Sequence, residues 1–272
     1  KKESVIYRRA DLGGFTNLLL IGLGETGKIA AESYRVAAAV AYGSLKGHKI
    51  TSAAFHGDSI VKFGKDSAAC LQALVEGMGL SAYEFTQHKT KGKDKTKTDS
   101  KKEAEKALKE IPILFSNAPT AAMIKAVQRA EILVECQNQT RWLGDQPGNM
   151  MTPKILADHA VKWAKGTGLK VTVWDKARIQ KEKLGGLLAV AAGSSEEPRF
   201  IIMEYHGAAK SKKPVCFVGK GLTFDTGGIS IKPSQSMEEM KYDMCGGAAV
   251  IGTMLALAKL KANVNAIGIV PS

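Results

Sequence analysis

"VGKGLTFDTGG" (Val218–Gly228) runs an apolar segment into a lysine, Lys220, then an aspartate, Asp225, then a glycine pair. Just beyond it, "IKPSQSMEEMKYDMCGG" (Ile231–Gly247) adds a second lysine, Lys232, and a second aspartate, Asp243. The apolar run "PVCFVGK" reads as a strand, "GGAAVIGTMLALAKL" (Gly246–Leu260) as a helix, and "NVNAIGIV" (Asn263–Val270) as another strand. Strand, charged loop, helix and strand in succession decide for an α/β fold.

The same alternation extends upstream. "NLLLIGLG" (Asn17–Gly24) reads as a strand, "KIAAESYRVAAAVAYGSL" (Lys28–Leu45) as a helix, "KITSAAFHG" (Lys49–Gly57) as a strand and "DSAACLQALVEGMGL" (Asp66–Leu80) as a helix. A short strand, "IPILFS", precedes a long helical pattern from Thr120 to about Trp142. Pro147 and Gly148 break that pattern, and a helix restarts with Thr152 as N-cap and Pro153 at its first position. The strands "KVTVWD" and "RFIIMEYHG" follow. The division expected is an N-terminal α/β domain over 1–119 and a second α/β domain over 120–272, with no internal repeat.

The chain has 272 residues, of which 44% are apolar, enough for substantial cores. No stretch reaches the roughly 18 consecutive apolar residues of a membrane span, so the expectation is a soluble, cytoplasmic protein with no membrane partner. Cys70, Cys136, Cys216 and Cys245 are scattered and read as reduced thiols. The formal charge of +13 raises DNA binding as an alternative function. Much of that charge lies in the polar run His88–Glu110, whose composition suits a solvated loop leading into a helix.

Gly22, Gly24 and Gly27 have the GxGxxG spacing of a dinucleotide fingerprint. The motif also requires an acid about 20 residues on, and the nearest one at the end of the next strand, Asp58, lies too far along. A P-loop fails as well, because Ile29 follows Lys28 where a Ser or Thr is needed. A glycine-rich turn accounts for these residues without a ligand.

Asp225 and Asp243 offer the hard oxygen donors that divalent cations use, and neighbouring Gly227, Gly228, Gly246 and Gly247 let backbone approach a crowded centre. Taken singly, each aspartate has a plainer explanation: Asp225 capping a turn, Asp243 capping the helix that follows. The lysines tip the balance. A lysine closing an apolar strand is costly to bury charged, and a divalent ion beside it stabilises the neutral amine that can ligate metal. His48, His56, His88, His159 and His206 lack zinc-site spacing, Cys245 reads as packing in a tight turn, and Trp142, Trp163 and Trp174 read as packing residues.

The segment "VGKGLTFDTGGISIKPSQSMEEMKYDMCGGAA", with "DQPGNMMTP", "AGSSEEPRFIIMEY" and "NAIGIVPS", closely resembles the leucine (cytosol) aminopeptidase family, especially its bacterial aminopeptidase A branch. The resemblance is dense in the second half and looser in the first. It implies a macro-like N-terminal α/β domain followed by an α/β zinc-peptidase-like catalytic domain with a mixed central sheet. It further implies an exopeptidase with two divalent metal ions, manganese or zinc with magnesium as a third candidate, acting on peptide substrates and assembling as a homo-hexamer. By position, Lys220 and Asp243 would ligate one metal, Asp225 would contact both, Lys232 would be the catalytic lysine that stabilises the oxyanion, and Met240 would line the pocket for the first side chain. The ions would also bind the free α-amine, restricting cleavage to N-terminal residues. The family pattern continues, beyond "GIVPS", to an Asn-Thr-Asp-Ala-Glu-Gly-Arg motif with further ligands and a catalytic arginine. The expectation is therefore a chain shortened at both ends, holding part of the metal cage and inactive alone.

Overall fold

A computed structural model describes residues 3–12, 14–90 and 110–272. Nearly all of the basic run His88–Glu110 lies outside the described residues. The chain divides into two compact units, Lys1–Val134 and Glu135–Ser272.

The first unit opens with an antiparallel hairpin of β1 (Ser4–Leu12) and β2 (Phe15–Ile21), turned at Gly14 with φ +98°. Helices α1 (Ala31–Gly47) and α3 (Ser67–Ser81) pack against each other, flanked by the short α2 (Gly57–Val61). Tyr34, Ala38, Ile60, Cys70, Leu71, Leu74 and Met123 form the core. The helices come close because residue 77 is glycine: a Cβ there would stand 2.7 Å from the Arg35 carbonyl carbon. Asp66 caps α3, its Oδ1 accepting from Ala68 N–H at 2.9 Å and Ala69 N–H at 3.2 Å.

The strand expected over Lys49–Gly57 shrinks to β3 (Phe55–His56), which pairs in parallel with β4 (Ile113–Leu114). The reason is local. His48, Lys49 and Ile50 donate their N–H groups back to Ser44, Lys46 and Leu45, with Lys49 at φ +54°, so these residues close α1 instead of extending. The Gly22–Gly27 segment is no dinucleotide fingerprint. Its strand, β2, pairs with β1 alone among the described residues, and α1 starts only at Ala31. Asp58 is likewise engaged structurally, accepting from Ser116 N–H at 2.9 Å and Ser116 Oγ at 2.8 Å.

Helix α4 (Ala121–Asp145) crosses the division between the units. In the second unit, α5 (Pro153–Ala164) starts with Thr152 Oγ1 accepting from Ile155 N–H at 3.4 Å and Pro153 at the first position. After it come β5 (Lys170–Trp174), the short α6 (Lys176–Lys181) and α7 (Gly185–Ala191), β6 (Phe200–His206), β7 (Val215–Val218), α8 (Cys245–Lys259) and β8 (Asn265–Pro271). The strands form one mixed sheet in the order β5-β6-β8-β7, with β7 parallel to β8 and the other pairs antiparallel. Met203, Ile201, Val270, Ile251, Met254 and Leu255 fill the core beside α8. The fold is α/β throughout.

One expectation about this sheet changes. "PVCFV" reads as a buried strand; among the described residues β7 pairs with β8 alone, and its Val215 and Val218 are 48% and 69% exposed. Among the described residues, no helix is long and apolar enough to cross a membrane.

Candidate metal centre

Lys220 lies just past the end of β7, where the ladder with β8 continues: Gly219 N–H donates to the Ile269 carbonyl at 3.0 Å and Gly221 N–H to the Pro271 carbonyl at 2.9 Å. From the other side, Gly247 N–H in the first turn of α8 donates to the Lys220 carbonyl at 2.7 Å. Helix α8 has no side-chain cap, its N-cap residue being Met244, so the Lys220 carbonyl takes one of the helix's open N–H groups. Asp243 therefore does not cap α8. It lies at the end of a 3-10 turn, Met237–Met244, with its Oδ2 2.7 Å from Lys220 Nζ.

That ion pair is close but misaligned. Asp243 Oδ2 is buried, and its partner is the Lys220 amine at 2.7 Å, which stands off the line of a well-aligned hydrogen bond. Lys220 Nζ, 2.7 Å away, occupies that oxygen here, so a divalent ion would take the place the lysine head now holds rather than sit between the two groups.

The second pair forms through a loop that folds back. Lys232 N–H donates to the Thr226 carbonyl at 2.9 Å, and Lys232 Nζ then stands 3.2 Å from Asp225 Oδ2. Gly227, at φ +95°, donates its N–H to Asp225 Oδ1 at 2.9 Å, so Asp225 does cap a turn, as the plainer reading has it, while its other oxygen faces a lysine. The Gly227 N–H is the first cause holding the Asp225 carboxyl below its usual range; Lys232 and then Lys220 add to it, and partial burial opposes. Asp225 thus feels both lysines, and the two pairs are coupled electrostatically.

Met240 sits three residues before Asp243 on the 3-10 turn, and residues at that spacing eclipse each other in such a turn. Met240 and Asp243 thus share a face. Cys245 packs against Gly144, with its Sγ 3.1 Å from where a Cβ would stand. Among the described residues no three His, Cys, Asp or Glu side chains cluster closely enough to hold a metal. The donors assembled here are two carboxylates and one amine, chemically suited to a hard divalent ion but fewer than the six or so it takes.

The reading from sequence missed the role of the Lys220 backbone and the close approach of Gly219. A Cβ on Gly219 would stand 2.6 Å from the Gly246 carbonyl carbon and 2.7 Å from Val250 Cγ2. One signal was available: "DMCGG" starts a helix with two glycines and no capping side chain at the N-cap, so a capping carbonyl had to come from elsewhere.

The sequence pattern of the "Cytosol aminopeptidase family, catalytic domain" matches residues 138–272, and that of the "Cytosol aminopeptidase family, N-terminal domain" matches residues 1–92. The chain belongs to the cytosol aminopeptidase family. It is 53% identical, over its whole length, to a probable cytosol aminopeptidase of Bdellovibrio bacteriovorus, covering 52% of that protein. With a probable cytosol aminopeptidase of Burkholderia mallei it shares 40% identity over 95% of this chain and 50% of the relative. The chain spans about half the length of the curated relatives it matches. A solved structure of the bottromycin maturation enzyme BotP in complex with Mn superposes with a TM-score of 0.82 at 28% identity, covering 99% of this chain and 53% of that one. All four charged residues of the candidate centre fall inside the region matched by the cytosol aminopeptidase catalytic domain.

Proposed function

We propose that this sequence belongs to a cytoplasmic, metal-dependent aminopeptidase that removes N-terminal residues, leucine-like ones preferred, from peptides. The observation that carries the reading is the convergence of Lys220, Asp243, Asp225 and Lys232 within a cytosol aminopeptidase catalytic domain. Lys220, through the lone pair of its uncharged amine, and Asp243 would hold one divalent ion, manganese or zinc, and Asp225 would contact that ion and a second. When bound, the ions supply Lewis acidity toward water and the scissile carbonyl.

The remaining steps belong to the chain itself. Lys232, 3.2 Å from Asp225, would stabilise negative charge developing on the carbonyl oxygen of the substrate. Met240, sharing a face with Asp243, lines the pocket for the first side chain. These residues all lie in the domain we assign to 120–272, which follows an N-terminal domain over 1–119. Assembly as a homo-hexamer is part of the same reading.

Hydrolysis of leucine p-nitroanilide by the complete protein tests it. Activity abolished by a chelator and restored by manganese or zinc is the expected result. A complete, metal-loaded protein that leaves this substrate intact sinks the proposal.

A further inference from the structure

Four backbone approaches meet at Lys220. Gly247 N–H donates to its carbonyl at 2.7 Å, and Gly219 and Gly221 on either side of it hold the ladder to β8. A Cβ on Gly246 would stand 3.1 Å from Lys220 N; one on Gly247 would stand 3.1 Å from Lys220 O, 3.1 Å from Gly221 Cα and 2.6 Å from Val270 Cγ1. Contacts under about 3.4 Å require one side to yield, and most of these partners are backbone. The first turn of α8 is therefore fitted onto the Lys220 backbone with no room for a side chain.

The consequence concerns Asp243. It lies immediately before Met244 and Cys245, where α8 starts, so the position of its carboxylate follows the position of that first turn. Lys220 follows the end of β7. The hydrogen bond from Gly247 to the Lys220 carbonyl is a backbone link between the two segments, and it sets how far apart the backbones that carry the two side chains stand.

We propose that Gly247 is a positioning residue for the Lys220–Asp243 ligand pair, acting through the Lys220 carbonyl. The inference rests on the reading that this pair holds a divalent ion. Its specific content is that the helix start is a clamp for metal geometry as well as a packing contact. Replacing Gly247 with alanine pushes the first turn of α8 away from Gly221 and the Lys220 carbonyl, and carries Asp243 with it.

A second glycine on the same helix separates this role from packing. A Cβ on Gly252 would run into Thr140 Oγ1 and stand 3.2 Å from the Cys136 carbonyl oxygen, against α4 and away from the ligand segments. The test measures Mn2+ dissociation constants by electron paramagnetic resonance, and melting temperatures by circular dichroism, in the complete protein. Wild type, Gly247→Ala, Gly252→Ala and Lys220→Ala are compared. The expected result is Mn2+ binding weakened at least tenfold in Gly247→Ala. Gly252→Ala stays within twofold of wild type even though its melting temperature falls as far or further. If Gly247→Ala does not fold, Gly246→Ala, whose Cβ meets Lys220 N, carries the same comparison with the same direction expected.

Equal weakening in Gly247→Ala and Gly252→Ala, or unchanged binding in Gly247→Ala, overturns the positioning role and leaves the ligand reading standing. If Lys220→Ala binds Mn2+ as wild type does, the ligand reading itself falls, and the positioning role falls with it.

Discussion

Replacing Lys232 with methionine separates catalysis from stability, and the structure sets the size of each effect. The Lys232–Asp225 pair is 3.2 Å long, and its side chains are 37% and 26% exposed. Pairs open to solvent to this degree contribute at most about 1 kcal/mol, so the melting temperature should fall by only a few degrees. Asp225 is not left bare, because Gly227 N–H still donates to its other oxygen at 2.9 Å. Catalysis should suffer far more. A donor that stabilises a developing oxyanion is worth on the order of a 100- to 1,000-fold change in kcat. Since that contact strengthens only in the transition state, KM should hardly move. Steady-state hydrolysis of leucine p-nitroanilide by the complete, metal-loaded protein gives both constants, and a parallel Mn2+ titration should show unchanged affinity, as Lys232 is not among the proposed ligands. A kcat within about threefold of wild type, or a loss of activity that follows a loss of metal, refutes the assignment.

Two further predictions concern the scaffold. Gly77→Ala puts a Cβ 2.7 Å from the Arg35 carbonyl carbon and 2.8 Å from its Cα, so α1 and α3 must part; a loss of roughly 2–3 kcal/mol in denaturant unfolding is expected, and an unchanged midpoint removes the claim that this glycine sets the crossing. His159 lies between Trp142 and Trp163, with ring centroids at 4.7 Å and 5.0 Å and a buried Nδ1 without a hydrogen bond. Burial pushes its pKa below the ordinary 6.5, with Lys162 helping and Asp158 opposing. Because the unfolded chain then takes up the proton first, stability should be level above pH 6.5 and decline as pH falls below it. His159→Phe should flatten that decline in melts recorded across the range, and an unaltered profile would assign the acid sensitivity elsewhere.

Helices α1, α3, α4 and α5 were legible because apolar periodicity and local punctuation agree: Pro147 and Gly148 end one helix, and Thr152 with Pro153 start the next. Strands β6 and β8 were legible as long apolar runs, and pairing with each other buries both. The hairpin strand β1 was not, because "SVIYRRADL" puts two arginines and an aspartate where a clean alternation would be read. The 3-10 turn Met237–Met244 was equally hidden. Its start depends on Ser236 adopting φ +58°, and its tight winding, which aligns Met240 with Asp243, leaves no mark in the residue types.

The four charged residues of the candidate centre were singled out in the sequence, with Lys220 and Asp243 set together on one metal by the family resemblance, but the reason for the lysines changes with the structure. Burial of a charge at the end of an apolar strand was the argument from sequence, yet β7 is exposed and the Lys220 side chain is 60% accessible. The more buried partner is Asp243, at 22%, with a buried oxygen that faces the Lys220 amine. The burden of burial thus lies on the carboxylate, and the lysine is the group free to move. Such a division suits a metal site. The fixed, buried oxygen defines where the cation must sit, while an exposed amine on a flexible stem can rotate from a misaligned ion pair into a ligand position. It follows that Asp243→Asn should lower metal affinity more than Lys220→Met. A larger loss from the lysine substitution, measured by the same Mn2+ titration, would mean that the amine and not the carboxylate anchors the ion.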